Sequence, residues 1–379
     1  MNTSDRPLIV GAGPVGLAAA LFIAEQGLFP RVIEMRREQS RESRALAVNP
    51  RTLSILEPTG ISRRMLQVGL PVHGVRFYNR RRMIAALNLT GIDPHFPFML
   101  ALSQATTEQL LTDSFEAAGG RIERGIKMVD CRIFPDHVEV VIEPSAGGPS
   151  EAVRCPWLLA ADGARSIARQ QLGIDFVGST FPGKWHLADA PLQTTLAEDH
   201  GHAFFLEEGA FLFMIRVVDP VLESRTEKPI WRVLGNRPDP LSQLLHAEQA
   251  GPTVWESSFH ISHRVAATFE AGRVYLAGDA AHVHSPVGAR GMNLGIEDVR
   301  VFAELLRADR LSNYDRLRRP VDSQVVSTVK FISRIASGDS AVFRLFREFL
   351  PFTTRIPFIR ARLLAIVAGL DHELPVIYR

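Results

Sequence analysis

The chain is poor in several features that would place it in a specialised class of protein. Its 379 residues include only 2 cysteines, Cys131 and Cys155, together with 4 tryptophans and 4 tyrosines. Because the two cysteines fall on separate expected strands, neither a disulfide nor a cysteine metal site is predicted. No apolar run has the length of a membrane span and no signal core precedes the first expected strand. We therefore expect a cytoplasmic protein without membrane association.

The charge balance also excludes one class of partner. The formal net charge is +2, so nothing electrostatic favours nucleic acid. The basic run at residues 80–82 is expected to be a solvated turn. No internal repeat or low-complexity stretch is present, and the length allows two closely joined domains around a large core.

A glycine-rich segment near the start is typical of a dinucleotide-binding turn. Gly11-Ala12-Gly13-Pro14-Val15-Gly16 follows the apolar run at residues 8–10, which predicts a buried parallel strand. The next residues are rich in alanine and leucine and end at Gly27, as expected of a helix. Glu34 follows by about 20 residues, where a carboxylate can bind ribose hydroxyls. This segment alone does not separate FAD from NAD.

Two later segments place similar turns after further apolar strands. Asp162-Gly163 follows residues 157–161, Gly278-Asp279 follows residues 273–277, and a helix is expected to begin near Gly291. Ligands of open α/β sheets bind outside the carboxyl ends of the strands, so all three turns are expected to face one crevice. A helix N-terminus in that crevice would stabilise negative charge on a reduced flavin. The three segments together favour FAD and redox chemistry.

With these motifs the chain resembles the class A flavoprotein monooxygenases of the 4-hydroxybenzoate hydroxylase type, from about residue 7 to residue 320. The resemblance implies non-covalent FAD, NAD(P)H as a transient reductant and O2 as co-substrate. It also implies that a C4a-hydroperoxyflavin hydroxylates a small aromatic molecule, either phenolic or of polyketide or quinolone type.

The resemblance also assigns residues. It makes Pro286, whose carbonyl would face the flavin C4a region, and Arg44, near the pyrophosphate, the catalytic candidates. The loop expected under the isoalloxazine departs from the common pattern, because Ser285 replaces a proline and Ala289-Arg290 replaces Gly-Gln. Arg290 would place a cation near the flavin. The residues expected to bind FAD are Gly11, Gly13, Pro14, Val15, Gly16, Glu34, Met35, Arg36, Arg44, Gln104, Met128, Asp162, Gly278, Asp279, Pro286, Gly288, Gly291, Met292 and Asn293.

The expected fold is α/β, with a Rossmann-like FAD-binding domain interleaved with a β-sheet substrate domain and followed by a C-terminal helical segment. We assign residues 1–75, 98–180 and 265–330 to the FAD-binding domain. Residues 76–97 and 181–264 form the expected substrate domain, and residues 331–379 the helical segment. Proline residues interrupt the basic apolar tail, which favours packing against the body over lying on a membrane. A homodimer contact through this tail stays open.

Side chains on the β-rich region are the candidates for substrate contact. Phe211 and Phe213 share one face of a strand, and Arg216 would bind a carboxylate if it faced inward. His186 and Asp189 bracket another strand. His282 and His284 alternate as a metal pair would, but no third ligand is visible, so no metal is predicted. The candidates are His202, Phe204, Phe211, Phe213, Arg216 and Trp231.

Two other functions stay open. A flavoprotein reductase of the geranylgeranyl reductase type would share the cofactor motifs without inserting oxygen. A non-catalytic FAD-fold protein of the Rab-escort kind is disfavoured, since Arg44, Gln104 and Pro286 match residues that touch the flavin. The sequence does not decide the substrate, the regiochemistry, the choice between NADH and NADPH, or a catalytic base.

Overall fold

The computed structural model describes residues 6–40, 45–244, 249–338, 340, 342–343, 347 and 354–375. The strands are β1 (Leu8–Val10), β2 (Arg31–Glu34), β3 (Ala47–Val48), β4 (Leu70–Val72), β5 (Gly74–Asn79), β6 (Arg82–Asn88), β7 (Met99–Ala101), β8 (Ile122–Arg124), β9 (Ile126–Ile133), β10 (Val138–Pro144), β11 (Glu151–Cys155), β12 (Leu158–Ala160), β13 (Phe176–Gln193), β14 (His200–Phe205), β15 (Phe211–Arg216), β16 (Ile230–Gly235), β17 (Gln249–Ala250), β18 (Trp255–Ala266), β19 (Glu270–Ala271), β20 (Val274–Leu276) and β21 (His282–Val283). The helices are α1 (Pro14–Ala24), α2 (Pro50–Leu56), α3 (Ile61–Val68), α4 (Gln104–Ala117), α5 (Ile167–Gln171), α6 (Pro220–Glu223), α7 (Gly291–Arg307), α8 (Tyr314–Ser337) and α9 (Pro357–Ala368).

A mostly parallel sheet of six strands, in the order β19-β20-β12-β1-β2-β8, carries the predicted turns. Its central strands β1, β12 and β20 are short, wholly apolar and buried, as expected of a parallel sheet covered on both faces. Helix α1 is almost entirely buried because its small alanine and leucine side chains let it pack closely. The predicted strands and the predicted helix are confirmed here, and the mixed α/β fold is as expected.

The larger sheet has nine strands among the described residues, in the order β21-β18-β13-β16-β15-β14-β5-β6, with β17 beside β13. Successive side chains on a strand point to opposite faces, so the sheet has two sides. We call the side with Phe77, Phe213 and Leu234 the inner face, and the side with Tyr78 and Phe204 the outer face.

Two small sheets, β11-β10-β9 and β3-β7-β4, complete the β-structure of the described part. Cys131 on β9 and Cys155 on β11 are buried and free. Burial raises the thiol pKa of Cys131 to about 11 and that of Cys155 to about 12. Both thiols are therefore protonated at neutral pH and behave as small apolar side chains.

Four predicted segment boundaries, after residues 75, 180, 264 and 330, fall inside single elements, namely β5, β13, β18 and α8. β13 begins at Phe176 and joins the nine-stranded sheet there, so residue 180 lies within a strand. β21 also pairs with that sheet, although it lies inside the segment expected to bind FAD. α8 runs from Tyr314 through Pro320 to Ser337, so residue 331 lies within a helix. β5, β13, β18 and α8 are therefore each continuous across a predicted boundary.

The described part of the C-terminal tail packs against the body. α9 begins at Pro357, a residue that fits the first helical turn. Leu363, Leu364 and Val367 join an apolar cluster with Leu87 of β6, whereas Phe358 is 80 % exposed. Among the described residues, no helix combines the length and apolar character needed to cross a membrane.

Candidate functional site

The first glycine turn leaves an opening at the N-terminus of α1. A Cβ atom at Gly11 would lie 2.3 Å from the Ala161 carbonyl oxygen, and one at Gly16 would lie 1.9 Å from the Gly11 carbonyl oxygen. At Gly13 no atom lies within 4 Å of the Cβ position. Gly11 and Gly16 are therefore required by packing, whereas Gly13 leaves room for a ligand. No side chain caps the first turn of α1, so its N–H groups are available to an anion.

The first and third turns are in direct contact through Val15. A Cβ atom at Gly278 would lie 2.9 Å from Val15 Cγ2, and one at Gly295 of α7 would lie 2.5 Å from the same atom. Pro14 occupies the first position of α1. Gly295, which was not among the predicted site residues, has no side chain and so lets α7 approach the glycine turn.

The carboxylate at the end of β2 holds the glycine turn. Glu34 Oε2 accepts a hydrogen bond from the Ala12 N–H at 2.8 Å, and Oε1 accepts one from the Arg36 N–H at 2.9 Å. Met35 between them is 60 % exposed. These residues lie beside the turn as expected, and Glu34 also fixes its backbone.

The second turn offers an unpaired acceptor. Asp162 Oδ2 accepts hydrogen bonds from the N–H groups of Ile167 (2.7 Å) and Ala168 (3.4 Å) at the start of α5. Its Oδ1 atom is buried without a partner among the described residues. Burial raises the pKa of this carboxyl group, although the hydrogen bonds oppose the shift. A buried acceptor of this kind fits a hydroxyl donor from a bound molecule.

The third turn leads into a loop of residues 284–290, which we call the 284–290 loop. Asp279 in the turn is exposed. In the loop, the Pro286 carbonyl accepts a hydrogen bond from the Ala289 N–H at 3.0 Å. Gly288 and Ala289 have φ values of 86° and 52°, in the region that favours glycine. Ala289 therefore holds a strained backbone where the common pattern has glycine.

Helix α7 begins directly after this loop. Its first turn contains Gly291, Met292 and Asn293, and neither a capping side chain nor an acidic residue satisfies the N–H groups there. The Asn293 side chain donates to the carbonyls of Ala47 (2.9 Å) and Ala289 (2.6 Å) and accepts from the Asn49 N–H at 3.0 Å. Asn293 therefore fixes the loop, and the helix N-terminus stays open to negative charge.

Gln104 has a titratable partner that the sequence analysis missed. Its Oε1 accepts from the Ala45 N–H at 3.2 Å, and its Nε2 donates to Glu108 Oε1 at 2.8 Å. Burial raises the pKa of Glu108 to about 7. Arg44 lies outside the described residues. Met128 on β9 is 3 % exposed and packs in the main apolar core.

Two of the substrate candidates lie on the inner face. Phe211 belongs to an apolar cluster that also contains Leu234. Phe213 and Val287 of the 284–290 loop pack against this cluster. Ala336 near the end of α8 completes this cluster. The side chains of these two residues therefore lie on the same side of the sheet as the loop.

Three other candidates lie on the outer face, opposite the face whose apolar cluster contacts Val287. Phe204 and Trp231 pack in a separate apolar cluster with Tyr78. His202 has one ring nitrogen 3.1 Å from the Tyr78 hydroxyl and the other 2.9 Å from the Ala197 carbonyl oxygen. Strand alternation therefore directs these three side chains away from the face that contacts the loop.

The Arg216 side chain is already paired with other groups of the protein. Its guanidinium contacts Glu198 at 3.0 Å and Glu223 at 2.7 Å, and it donates to the Ile230 carbonyl at 2.8 Å. Two carboxylates therefore already balance the charge that was expected to bind a substrate carboxylate. A strand arginine is usually solvated, but here tertiary contacts bury and pair it.

A buried ion pair interrupts the apolar inner face. Arg232 binds Asp189 through two hydrogen bonds of 2.8 Å, and the Trp255 ring lies 4.9 Å from the guanidinium carbon. Both charged side chains are at most 5 % exposed. Asp189 was noted from the sequence but Arg232 was not, since only strand pairing brings the two residues together.

His282 belongs to a buried charge cluster behind the loop. It lies 2.8 Å from Asp298 and 3.7 Å from Asp322, and Arg318 lies 2.7 Å from Asp298 and 3.1 Å from Asp322. Burial lowers the pKa of His282, but the two aspartates outweigh it and raise that pKa to about 9. His282, Asp298 and Asp322 have the spacing of metal ligands, but the Arg318 guanidinium already supplies positive charge among them.

Comparison with known proteins identifies the fold family. The family described as an FAD binding domain matches residues 6–329. The chain belongs to this family. It is 32 % identical over 361 residues to a 6-methylpretetramide 4-monooxygenase of Streptomyces rimosus, covering 89 % of this chain and 64 % of that protein. It is 30 % identical over 403 residues to a rifampicin monooxygenase of Streptomyces venezuelae, covering 97 % of this chain and 80 % of that protein.

Solved structures agree on the fold of this FAD-binding family. The p-nitrophenol 4-monooxygenase of Pseudomonas putida superposes with a TM-score of 0.85 at 22 % identity, covering 98 % of this chain and 99 % of that one. This chain spans less than two thirds of the length of the Streptomyces rimosus relative. The predicted resemblance to class A aromatic monooxygenases is confirmed at the level of the family.

The described residues fit the cofactor that gives this family its name. Three turns meet at the carboxyl ends of β1, β12 and β20, and Val15 joins the first to the third. The open position at Gly13, the buried unpaired oxygen of Asp162 and the uncapped N-terminus of α7 are each suited to a group of FAD. When bound there, FAD would supply the redox chemistry.

Proposed function

We propose that this chain is an FAD-dependent monooxygenase that uses NAD(P)H and O2 to hydroxylate a small aromatic molecule. The observation that carries the proposal is the contact between Val287 of the 284–290 loop and the inner-face cluster containing Phe211 and Phe213. This contact places an apolar surface beside the loop that follows the cofactor turns. Such a surface can hold an aromatic ring and exclude water.

The chain's own residues would orient and shield the reacting groups. The N-terminus of α7 would stabilise negative charge that develops on the cofactor during reduction. The left-handed backbone at Gly288 and Ala289 would hold the loop in a fixed shape, and Asn293 ties it to the body. Phe213 and Val287 would exclude water from the side facing the substrate.

The relatives support an aromatic substrate. Monooxygenases named for 6-methylpretetramide and rifampicin match this chain in sequence, and one named for p-nitrophenol matches it in fold. The inner face contributes mainly phenylalanine and aliphatic side chains near the loop, so we propose a predominantly apolar ring system. The buried Asp189–Arg232 ion pair is a polar feature of the same inner face.

Oxygen incorporation tests this function directly. Protein reconstituted with FAD would be supplied under 18O2 with NADH or NADPH and a panel of phenols, multi-ring aromatics and unsaturated isoprenoids. We expect one aromatic class to stimulate nucleotide oxidation and to acquire one 18O atom. Nucleotide oxidation with hydrogenation of an isoprenoid and no 18O in product would instead establish a reductase. FAD binding with no turnover of either kind would contradict an enzymatic role.

A further inference from the structure

The last residue of the 284–290 loop is bound to the C-terminal part of the chain. The Arg290 side chain is fully buried. Its Nη1 donates hydrogen bonds to the Ile366 carbonyl and to Asp371 Oδ1, the latter at 2.8 Å. Both acceptors lie in residues 354–375, which we call the C-terminal segment. A cation at the carbonyl end of α9 also complements the dipole of that helix.

Further contacts hold the C-terminal segment against the same site. Arg51 of α2 donates to the carbonyls of Gly369 and His372. His372 lies 2.6 Å from Glu297 of α7 and 3.3 Å from Asp371. Burial favours the neutral form of Asp371, but His372 and Arg290 hold its pKa below the ordinary value. Asp371 is therefore ionised beside a buried guanidinium.

Two donors of Arg290 remain without acceptors. Its Nε and Nη2 atoms are buried and have no hydrogen-bond partner among the described residues. Leaving donors of a buried cation unpaired costs several kcal/mol, so the arrangement is suited to an acceptor that binds there. Arg290 directly precedes the uncapped first turn of α7, and both features attract a negatively charged or carbonyl-bearing group.

We infer that Asp371 is a positioning residue that holds Arg290 at the 284–290 loop and offsets part of its charge, so that the C-terminal segment helps to set the reduction potential of the bound flavin. The inference rests on FAD binding and not on the proposed hydroxylation. Reduction adds negative charge to the flavin, so the Arg290 cation favours the reduced form and the Asp371 anion opposes it.

Opposite shifts of the flavin potential would distinguish this role from a purely structural one. We expect Arg290→Gln to lower the midpoint potential and Asp371→Asn to raise it. Each change would alter the reduced-to-oxidised ratio by roughly tenfold at fixed potential, which is about 30 mV for a two-electron couple. Dye-equilibrated reduction of the FAD-reconstituted protein measures this shift. If Asp371 only anchored the C-terminal segment, without an electrostatic effect, the midpoint potentials of both variants would shift in the same direction or neither would shift.

Two further variants keep the test decisive. Asp113→Asn removes an exposed carboxylate that lies 3.0 Å from Arg64, and it should leave the potential unchanged. Asp371→Glu keeps the charge and should restore a potential near that of the wild type. If Arg290→Gln does not retain FAD, Asp371→Asn and Asp371→Glu decide the question. A midpoint potential that rises in Asp371→Asn but not in Asp371→Glu supports the inference. Equal shifts of the potential in these two variants, or no shift in either, overturn it.

Discussion

The six-stranded sheet and the nine-stranded sheet present their functional residues in different ways. In the first, three groups of candidate residues lie in turns that directly follow the buried strands β1, β12 and β20, so neighbours in sequence are also neighbours in the site. In the second, neighbours in sequence point to opposite faces, as Phe213 and Met214 do. A short motif therefore predicts the first kind of site, whereas the second depends on which face of each strand turns inward.

The largest expected effect separates packing from ligand binding within the glycine turn. Gly16→Ala would place a Cβ 1.9 Å from a backbone oxygen, so we expect a loss of more than about 3 kcal/mol in the free energy of unfolding. Gly13→Ala meets no protein atom and should change the stability of the FAD-free protein by less than about 1 kcal/mol while weakening FAD binding. Denaturant unfolding and flavin fluorescence titration measure these two quantities. Equal destabilisation by both variants would contradict the distinction.

A matched pair of phenylalanines tests the two faces of the nine-stranded sheet. Phe204→Ala on the outer face should cost about 3 kcal/mol of stability, and Phe213→Ala on the inner face should cost less because its side chain is only partly buried. Only Phe213→Ala should also change the KM for the aromatic substrate, because it lies beside the loop. Steady-state kinetics at a temperature where both variants are folded would show this. A larger KM change in Phe204→Ala would reverse the assignment of the faces.

The smallest expected effect concerns the buried carboxyl group beside Gln104. The pKa of Glu108 is about 7 in the folded protein against an ordinary value of 4.5. A raised carboxyl pKa means that the folded state binds the proton more tightly. The stabilisation is complete below pH 4.5 and is lost as the pH rises through 7.

Replacing this group isolates that pH dependence. Glu108→Gln cannot ionise, so its advantage over the wild type should grow by on the order of 2 kcal/mol between pH 5 and pH 8.5. Denaturant unfolding at the two pH values measures it. Asp189→Asn removes the carboxylate charge that pairs with the buried Arg232 guanidinium, so it should cost stability at both pH values. A constant difference between Glu108→Gln and the wild type would mean that the carboxyl group does not titrate in this range.

Local chemistry made the cofactor side predictable. Gly16 is a glycine because the Gly11 carbonyl, five residues earlier, leaves no room for a Cβ, whereas Gly11 is confined by the backbone of Ala161 after the neighbouring strand β12. Glu34 contacts the turn because β1 and β2 are parallel neighbours. Gly295, Glu108 and Arg232 were missed because their roles depend on partners from other elements. No local pattern marks such residues.

The sequence by itself determined the strand-turn-helix units, the likeness to FAD-binding proteins and the apolar character of the strands. Each of these depends on steric limits or periodicity over a few residues. Only the tertiary structure decided that Phe213 faces the loop while Phe204 does not, that Arg216 is paired, and that Arg290 reaches the C-terminal segment. Those outcomes depend on strand register and on contacts between residues far apart in the chain, where one position along a strand changes the face.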